Sequence, residues 1–97
     1  MGHLARAIDE LGRHEEALGL YDHTLELFEA AYEPGSWRIA HTLIGRGLSL
    51  LALGRSLEAQ ADIEAGHEVL AGTFAPDDGR VLRAVRATER AAAAVDL

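Results

Sequence analysis

Apolar residues recur at three- and four-residue steps in five successive segments of this 97-residue chain, and this spacing predicts five amphipathic helices. The predicted helices lie near residues 3–11, 15–32, 37–53, 56–73 and 78–95, with no strand. Apolar residues surround the third segment almost completely, so we expect this helix to be buried on several sides at the centre of the domain. Short connections make neighbouring helices antiparallel. The fold class is therefore predicted to be all-α.

A short stretch of sequence occurs twice, 42 residues apart. It reads LGRHEEA at Leu11–Ala17 and LGRSLEA at Leu53–Ala59. In each copy the glycine can end one helix in a left-handed conformation, and the following glutamates suit the positive end of the next helix dipole. A fixed period of this length indicates repeated helix–turn–helix units in one domain. We place repeat 1 at about 1–35, repeat 2 at about 36–77 and a C-terminal capping helix at about 78–95.

Further residues keep the same offset. In the first repeat they are Gly12, Ala17, Tyr21 and Pro34. Their counterparts in the second repeat are Gly54, Ala59, Ile63 and Pro76. With these residues the chain resembles the tetratricopeptide repeat family, in the 42-residue form of kinesin light chains and many bacterial proteins. Three positions depart from the family pattern: Arg46 replaces a large apolar residue, while Thr24 and Gly66 replace alanine.

The resemblance implies an α-solenoid fragment with a concave groove, which binds an extended peptide or a partner helix. The family's groove positions, carried over by the 42-residue register, are Arg6, Asp9, Glu10, His41, Ile44, Leu48, Arg83, Arg86 and Arg90. Three- and four-residue steps put the last three arginines on one face of the final helix, away from Val81, Val85 and Ala92.

Guanidinium groups hold carboxylates through paired hydrogen bonds, and Ile44 and Leu48 would offer an apolar seat beside them. An acidic peptide with one or two large apolar residues is therefore the expected ligand. The alternative is that the arginine stripe is only the solvated outer face of a terminal helix.

Composition narrows the classes of partner. The net charge is −7, from nine arginines and 16 acidic residues, which argues against nucleic acid and anionic membranes as main partners. No cysteine is present, no apolar run approaches a membrane span and no signal peptide is recognised, so we expect a cytoplasmic protein. The exclusive use of arginine, with many alanines and glycines, is typical of GC-rich bacterial coding. The acidic residues of the second helix are predicted to form a solvated face, with a cation or partner site as the alternative.

Catalytic signals are weak. The stretch His67–Ala71 begins like a zinc-protease motif but has alanine where the second histidine is needed, and His14–Leu18 fails in the same way. The five histidines lack metal-ligand spacing. We therefore expect no enzyme activity, no cofactor and no metal.

The leading hypothesis is a protein–protein interaction module within a larger regulatory or signalling protein. The alternative is a structural or oligomerisation segment whose only role is self-association. Self-association is expected, as a homodimer or by exchange of the end helix between copies, because repeat stacks usually need about three repeats and this chain has two and a covering helix. In that prediction the side chains of Ile44 and Leu48 remain exposed at the uncovered flank of the second helix.

Ser36 and Ser56 are predicted to cap the third and fourth helices.

Overall fold

A computed structural model describes residues 2–95 and contains five α-helices. They are α1 (Gly2–Glu10), α2 (His14–Ala31), α3 (Trp37–Ala52), α4 (Ser56–Thr73) and α5 (Gly79–Val95). Each boundary lies within one residue of its predicted position, and residues 2–95 contain no strand. The prediction of an all-α fold with five helices is confirmed. No helix in residues 2–95 is long and apolar enough to span a membrane.

The corners between paired helices have the same backbone geometry at the 42-residue offset. Gly12 and Gly54 adopt left-handed conformations, with φ of 84° and 78°. Each glycine N–H donates to a carbonyl three residues earlier, over 2.9 Å to Asp9 and 3.0 Å to Leu51. A side chain at either glycine would strain the backbone, because L-residues rarely adopt this region. The repetition seen in the sequence is thus also present in the chain path.

The helix termini show which caps form. The Ser36 Oγ accepts a hydrogen bond from the Arg38 N–H at 3.2 Å, and the Asp78 carboxylate accepts one from the Arg80 N–H at 2.9 Å. The predicted cap at Ser56 is wrong, because α4 begins at Ser56 itself and Arg55 occupies the capping position without a side-chain bond.

Helix α3 lies at the centre, in contact with all four other helices, as the sequence predicts. Helices α1 and α5 both approach α3, whereas the backbones of α2 and α4 stay more than 8 Å apart throughout the described residues. The odd-numbered helices are therefore the more closely spaced layer. We call the surface that they share the concave face.

The main core lies between α2, α3, α4 and α5 and includes Ile44, Ile63 and Leu70, while Ala5, Ala17 and Tyr21 form a smaller cluster. The predicted core face of α5 is partly wrong. Its buried residues are Val81, Ala84, Ala87 and Ala91, whereas Ala92 is exposed and Val85 is half-buried. The buried positions still recur at steps of three and four residues, so α5 has one apolar face, but alanines form most of it and the prediction followed the valines.

Candidate functional site

Three adjoining cavities lie on the concave face, and all three are lined by Arg6 of α1 and Arg83 of α5. His41 of α3 lines two of them, between these arginines. Six of the seven residues predicted to bind a ligand line the cavities: Arg6, His41, Leu48, Arg83, Arg86 and Arg90. The 42-residue register therefore brings most of the predicted groove residues to one surface.

Ile44 is the exception, and its assignment to the groove is wrong. Its side chain is 1% exposed and belongs to the main core. It points at α4, where a Cβ added to Gly66 would lie 2.9 Å from the Ile44 Cδ1. The missing Cβ of Gly66 leaves a gap that Ile44 fills, so the side chain turns away from the concave face.

The apolar seat is instead a pocket of about 280 Å³ that combines residues of α2 and α3. We call it the aromatic pocket, because Tyr21, Phe28, Trp37 and His41 form its walls. Tyr21 reaches it across Gly45, where an added Cβ would lie 2.5 Å from the Tyr21 Cζ. The sequence pattern missed this pocket, since it marks Tyr21 only as a position of the repeat.

Two further arginines hold Trp37 in place at the edge of the aromatic pocket. The Arg38 and Arg80 guanidinium carbons lie 4.7 Å and 4.8 Å from the Trp37 ring centroid. Arg80 also stacks on Phe74 and donates two hydrogen bonds to Asp78, at 2.9 Å and 2.8 Å. These bonds lower the pKa of Asp78 to about 2. Arg80 is thus occupied by the protein itself.

The arginines of the predicted stripe are not occupied in this way. Among residues 2–95, no carboxylate oxygen lies within 4.0 Å of a guanidinium nitrogen of Arg83, Arg86 or Arg90. Arg6 pairs only with Glu10 of its own helix, at 3.2 Å with both side chains more than half exposed. Such exposed pairs are weak and screened by salt, so Arg6 can also turn to a ligand.

Charge is separated between the two layers of helices. Helices α1, α3 and α5 carry seven of the nine arginines: one in α1, two in α3 and four in α5. Helices α2 and α4 carry no arginine and nine acidic residues, five in α2 and four in α4. The concave face is therefore locally basic although the chain is acidic overall. Counting charges helix by helix along the sequence would have found this separation.

His41 lies within this positive field. Burial, followed by the charges of Arg83, Arg80 and Arg6, lowers its pKa to about 4. Its Nδ1 is buried without a hydrogen-bond partner in the described structure. His41 is therefore uncharged at neutral pH. Tyr21, in the same pocket, has its pKa raised by burial.

Arg46 of α3, which departs from the family pattern, lies outside the concave face. It donates two hydrogen bonds to Asp62 of α4 and one to Asp22 of α2. Within residues 2–95, no group of three or more histidine or acidic side chains is arranged to hold a metal ion.

Comparisons with known proteins add no relative. A scan against protein-family models and searches of curated proteins and of solved structures find no match to this chain. A functional proposal therefore depends on the geometry and charge of the concave face.

Proposed function

We propose that this chain is a cytoplasmic protein-interaction module of the tetratricopeptide-repeat type, which serves a larger regulatory or signalling protein. Its concave face binds an acidic peptide or the acidic face of a partner helix. The observation that carries this proposal is the set of three arginines on α5 without a carboxylate oxygen within 4.0 Å among residues 2–95. Arg83 and Arg90 line one cavity together with Arg6, Asp9 and Glu10, and Arg83 and Arg86 line the neighbouring cavity together with Arg6. Repetition of the corner geometry at the 42-residue offset supports the choice of family.

The spacing of the arginines suits a short acidic segment. Arg83 and Arg90 are seven residues apart, which is about 10 Å along a helix. An extended peptide covers this distance with about three residues. Arginines hold carboxylates in bidentate pairs, so each acidic side chain can find its own partner along the stripe.

The aromatic pocket gives the peptide an apolar anchor beside the charges. Its walls are fixed before a ligand arrives, because Tyr21 is 3% exposed and Trp37 packs edge-to-face on Phe74 with ring centroids 5.5 Å apart. Preformed walls lower the entropic cost of binding. One large apolar side chain of the peptide is proposed to enter here.

Peptide binding by two matched variants tests the proposal. The ligand is a short fluorescent peptide with several glutamates and one phenylalanine, and its counterpart has lysine at each glutamate position. We expect the glutamate peptide alone to bind in fluorescence anisotropy, with affinity falling as salt rises. Arg86→Gln/Arg90→Gln should weaken binding at least about tenfold, since a hydrogen bond to a charged group contributes roughly 1.5–3 kcal/mol.

The control is Arg13→Gln/Arg55→Gln, which removes the same charge from the helix corners. It should leave binding unchanged. Equal binding of the glutamate and lysine peptides, or equal losses in the two variants, would refute a specific acidic-ligand site. The alternative function is self-association, which sedimentation velocity tests separately.

A further inference from the structure

One cavity of the concave face is lined by more positive charge than one carboxylate group would neutralise. It has a volume of about 530 Å³ and lies between α1 and the first turns of α5, above His41 of α3. We call it the α1–α5 cavity. Four arginines line it: Arg6, Arg80, Arg83 and Arg86.

The charges of this cavity do not cancel internally. Asp78 is the carboxylate that lines it, and Arg80 neutralises Asp78 through two side-chain hydrogen bonds. Arg83 and Arg86 lack a carboxylate within 4.0 Å among residues 2–95, and Arg6 has only its exposed pair with Glu10. Two or three guanidinium groups from opposite walls therefore remain available to one anion.

His41 shows that these cations act on a common point. The cations that lower its pKa, after burial, come from both walls, with Arg83 and Arg80 on α5 and Arg6 on α1. Tyr21 of α2 reaches the neighbouring aromatic pocket and is uncharged at neutral pH. An anion between the walls would reverse the field at His41 and favour its protonated form.

The number of available donors selects the anion. A carboxylate carries one charge and two oxygens in a plane, and one bidentate guanidinium already satisfies it. A phosphate monoester carries a charge of about −1.5 to −2 at neutral pH and three acceptor oxygens, so it can accept from guanidinium groups on two walls at once.

We propose that the α1–α5 cavity binds a phosphate monoester on the ligand peptide, a phosphoserine or phosphothreonine held between Arg6 and Arg83. This inference rests on the proposed function, since the rest of the phosphopeptide occupies the same concave face. It adds that phosphorylation of the partner controls binding. The phosphoryl group supplies an interaction that an acidic residue at the same position reproduces only in part.

The test compares three peptides that differ at one central residue, which is serine, glutamate or phosphoserine in an otherwise identical acidic sequence. Isothermal titration calorimetry on the wild-type chain should give the phosphoserine peptide an affinity roughly tenfold or more above that of the glutamate peptide. Arg6→Gln/Arg83→Gln should remove this difference, and Arg13→Gln/Arg55→Gln should keep it. Circular dichroism checks that both variants retain their helices.

A second readout follows His41 by its imidazole proton resonance. Saturation with the phosphoserine peptide should raise its pKa above the value of about 4, and the serine peptide should raise it less. Equal affinity of the glutamate and phosphoserine peptides would overturn this inference and leave the proposed function intact. Failure of all three peptides to bind would overturn both. If inorganic phosphate alone binds as tightly as the phosphopeptide, the cavity is a free-anion site and the phosphopeptide assignment is wrong.

Discussion

At the scale of one residue, Gly66 shows why a position within a helix can require glycine although glycine has a low helix propensity. It lies in α4 at the closest approach to α3, where an added Cβ would be 2.7 Å from the Ala40 carbonyl oxygen. That oxygen belongs to the backbone of α3 and cannot move aside without shifting the helix. Sequence patterns register Gly66 only as a departure from alanine. The structure shows that its missing side chain sets the distance between two helices.

Replacement of Gly66 by alanine should therefore destabilise the protein despite the better helix propensity of alanine. We expect a loss of about 1–3 kcal/mol from overpacking, against a propensity gain of about 1 kcal/mol. Gly72→Ala is the matched control, because Gly72 lies in the same helix with no atom within 4 Å of an added Cβ. It should gain roughly 0.5–1 kcal/mol. Urea unfolding followed by circular dichroism measures both, and equal stability of the two variants would contradict the close contact.

At the scale of helices, Arg46 adds a polar link between three helices that also share the main apolar core. Its Nε and Nη2 donate to the Asp62 carboxylate over 2.7 Å and 2.9 Å, and its Nη1 donates to Asp22 over 3.0 Å. The hydrogen bonds to Asp62 are the largest cause of the raised pKa of Arg46, and the bond to Asp22 raises it further, so the guanidinium stays charged. Because the backbones of α2 and α4 stay more than 8 Å apart throughout residues 2–95, this arginine links the two helices through α3.

Loss of this link should be measurable by a double-mutant cycle. Arg46→Met leaves Asp62 without its partner, and the Asp62 side chain is only 12% exposed. We expect a loss of about 1–3 kcal/mol, between the values for exposed and buried pairs. Asp62→Asn and the double variant complete the cycle, with a coupling of about 0.5–3 kcal/mol between the two residues.

The control variant is Arg13→Met, because the pair of Arg13 with Glu16 is about half exposed. It should leave the midpoint of urea unfolding unchanged. An equal shift of the midpoint in Arg13→Met and Arg46→Met would show that Arg46 contributes no special link.

The helices were predictable because residues with strong local preferences mark their ends. Gly12 and Gly54 end helices in left-handed conformations, and Pro34 and Pro76 lie in the turns between repeats. The buried face of α5 was predicted only in part, because the prediction followed Val81 and Val85, whereas alanines form most of that face. Packing distances decide such cases, and they depend on residues far away in the chain.

The residues of the candidate site were also predictable only in part. The register brings Arg6 and Arg83 to the same three cavities, and their binding of a ligand stays a prediction. It misplaced Ile44, whose direction depends on a missing side chain in α4. It also missed the aromatic pocket, which exists because Gly45 makes room for a ring from α2. Positions without a side chain create space only in three dimensions, and a one-dimensional pattern does not record that space.

At the scale of the whole molecule, the apolar surface left uncovered differs from the sequence-based expectation. The sequence places it at Ile44 and Leu48, but Ile44 is buried and Leu48 is half-buried. Two of the large exposed apolar side chains lie on α1 and just after it, at Leu4 and Leu11, which are 57% and 72% exposed. The others are Leu27, Tyr32, Leu57 and Leu82. Leu4 and Leu11 are seven positions apart and therefore lie on one side of the helix axis. Helix α1 packs on α2 and α3 alone among the described helices.

We expect this side of α1 to pair with a second copy, because Leu4 and Leu11 leave apolar surface exposed there. Full burial of one leucine side chain gains about 1.5–3 kcal/mol, so several contacts of this kind can support a reversible dimer. Sedimentation velocity at increasing protein concentration should show a rising average mass, and Leu4→Gln/Leu11→Gln should shift the association to higher concentration. The control is Leu57→Gln, which removes a 78% exposed leucine from the first turn of α4. A monomer at every concentration, or an equal effect of Leu57→Gln, would exclude pairing through α1. Self-association through this helix would then not be the role of the chain. The basic concave face would remain the candidate binding surface.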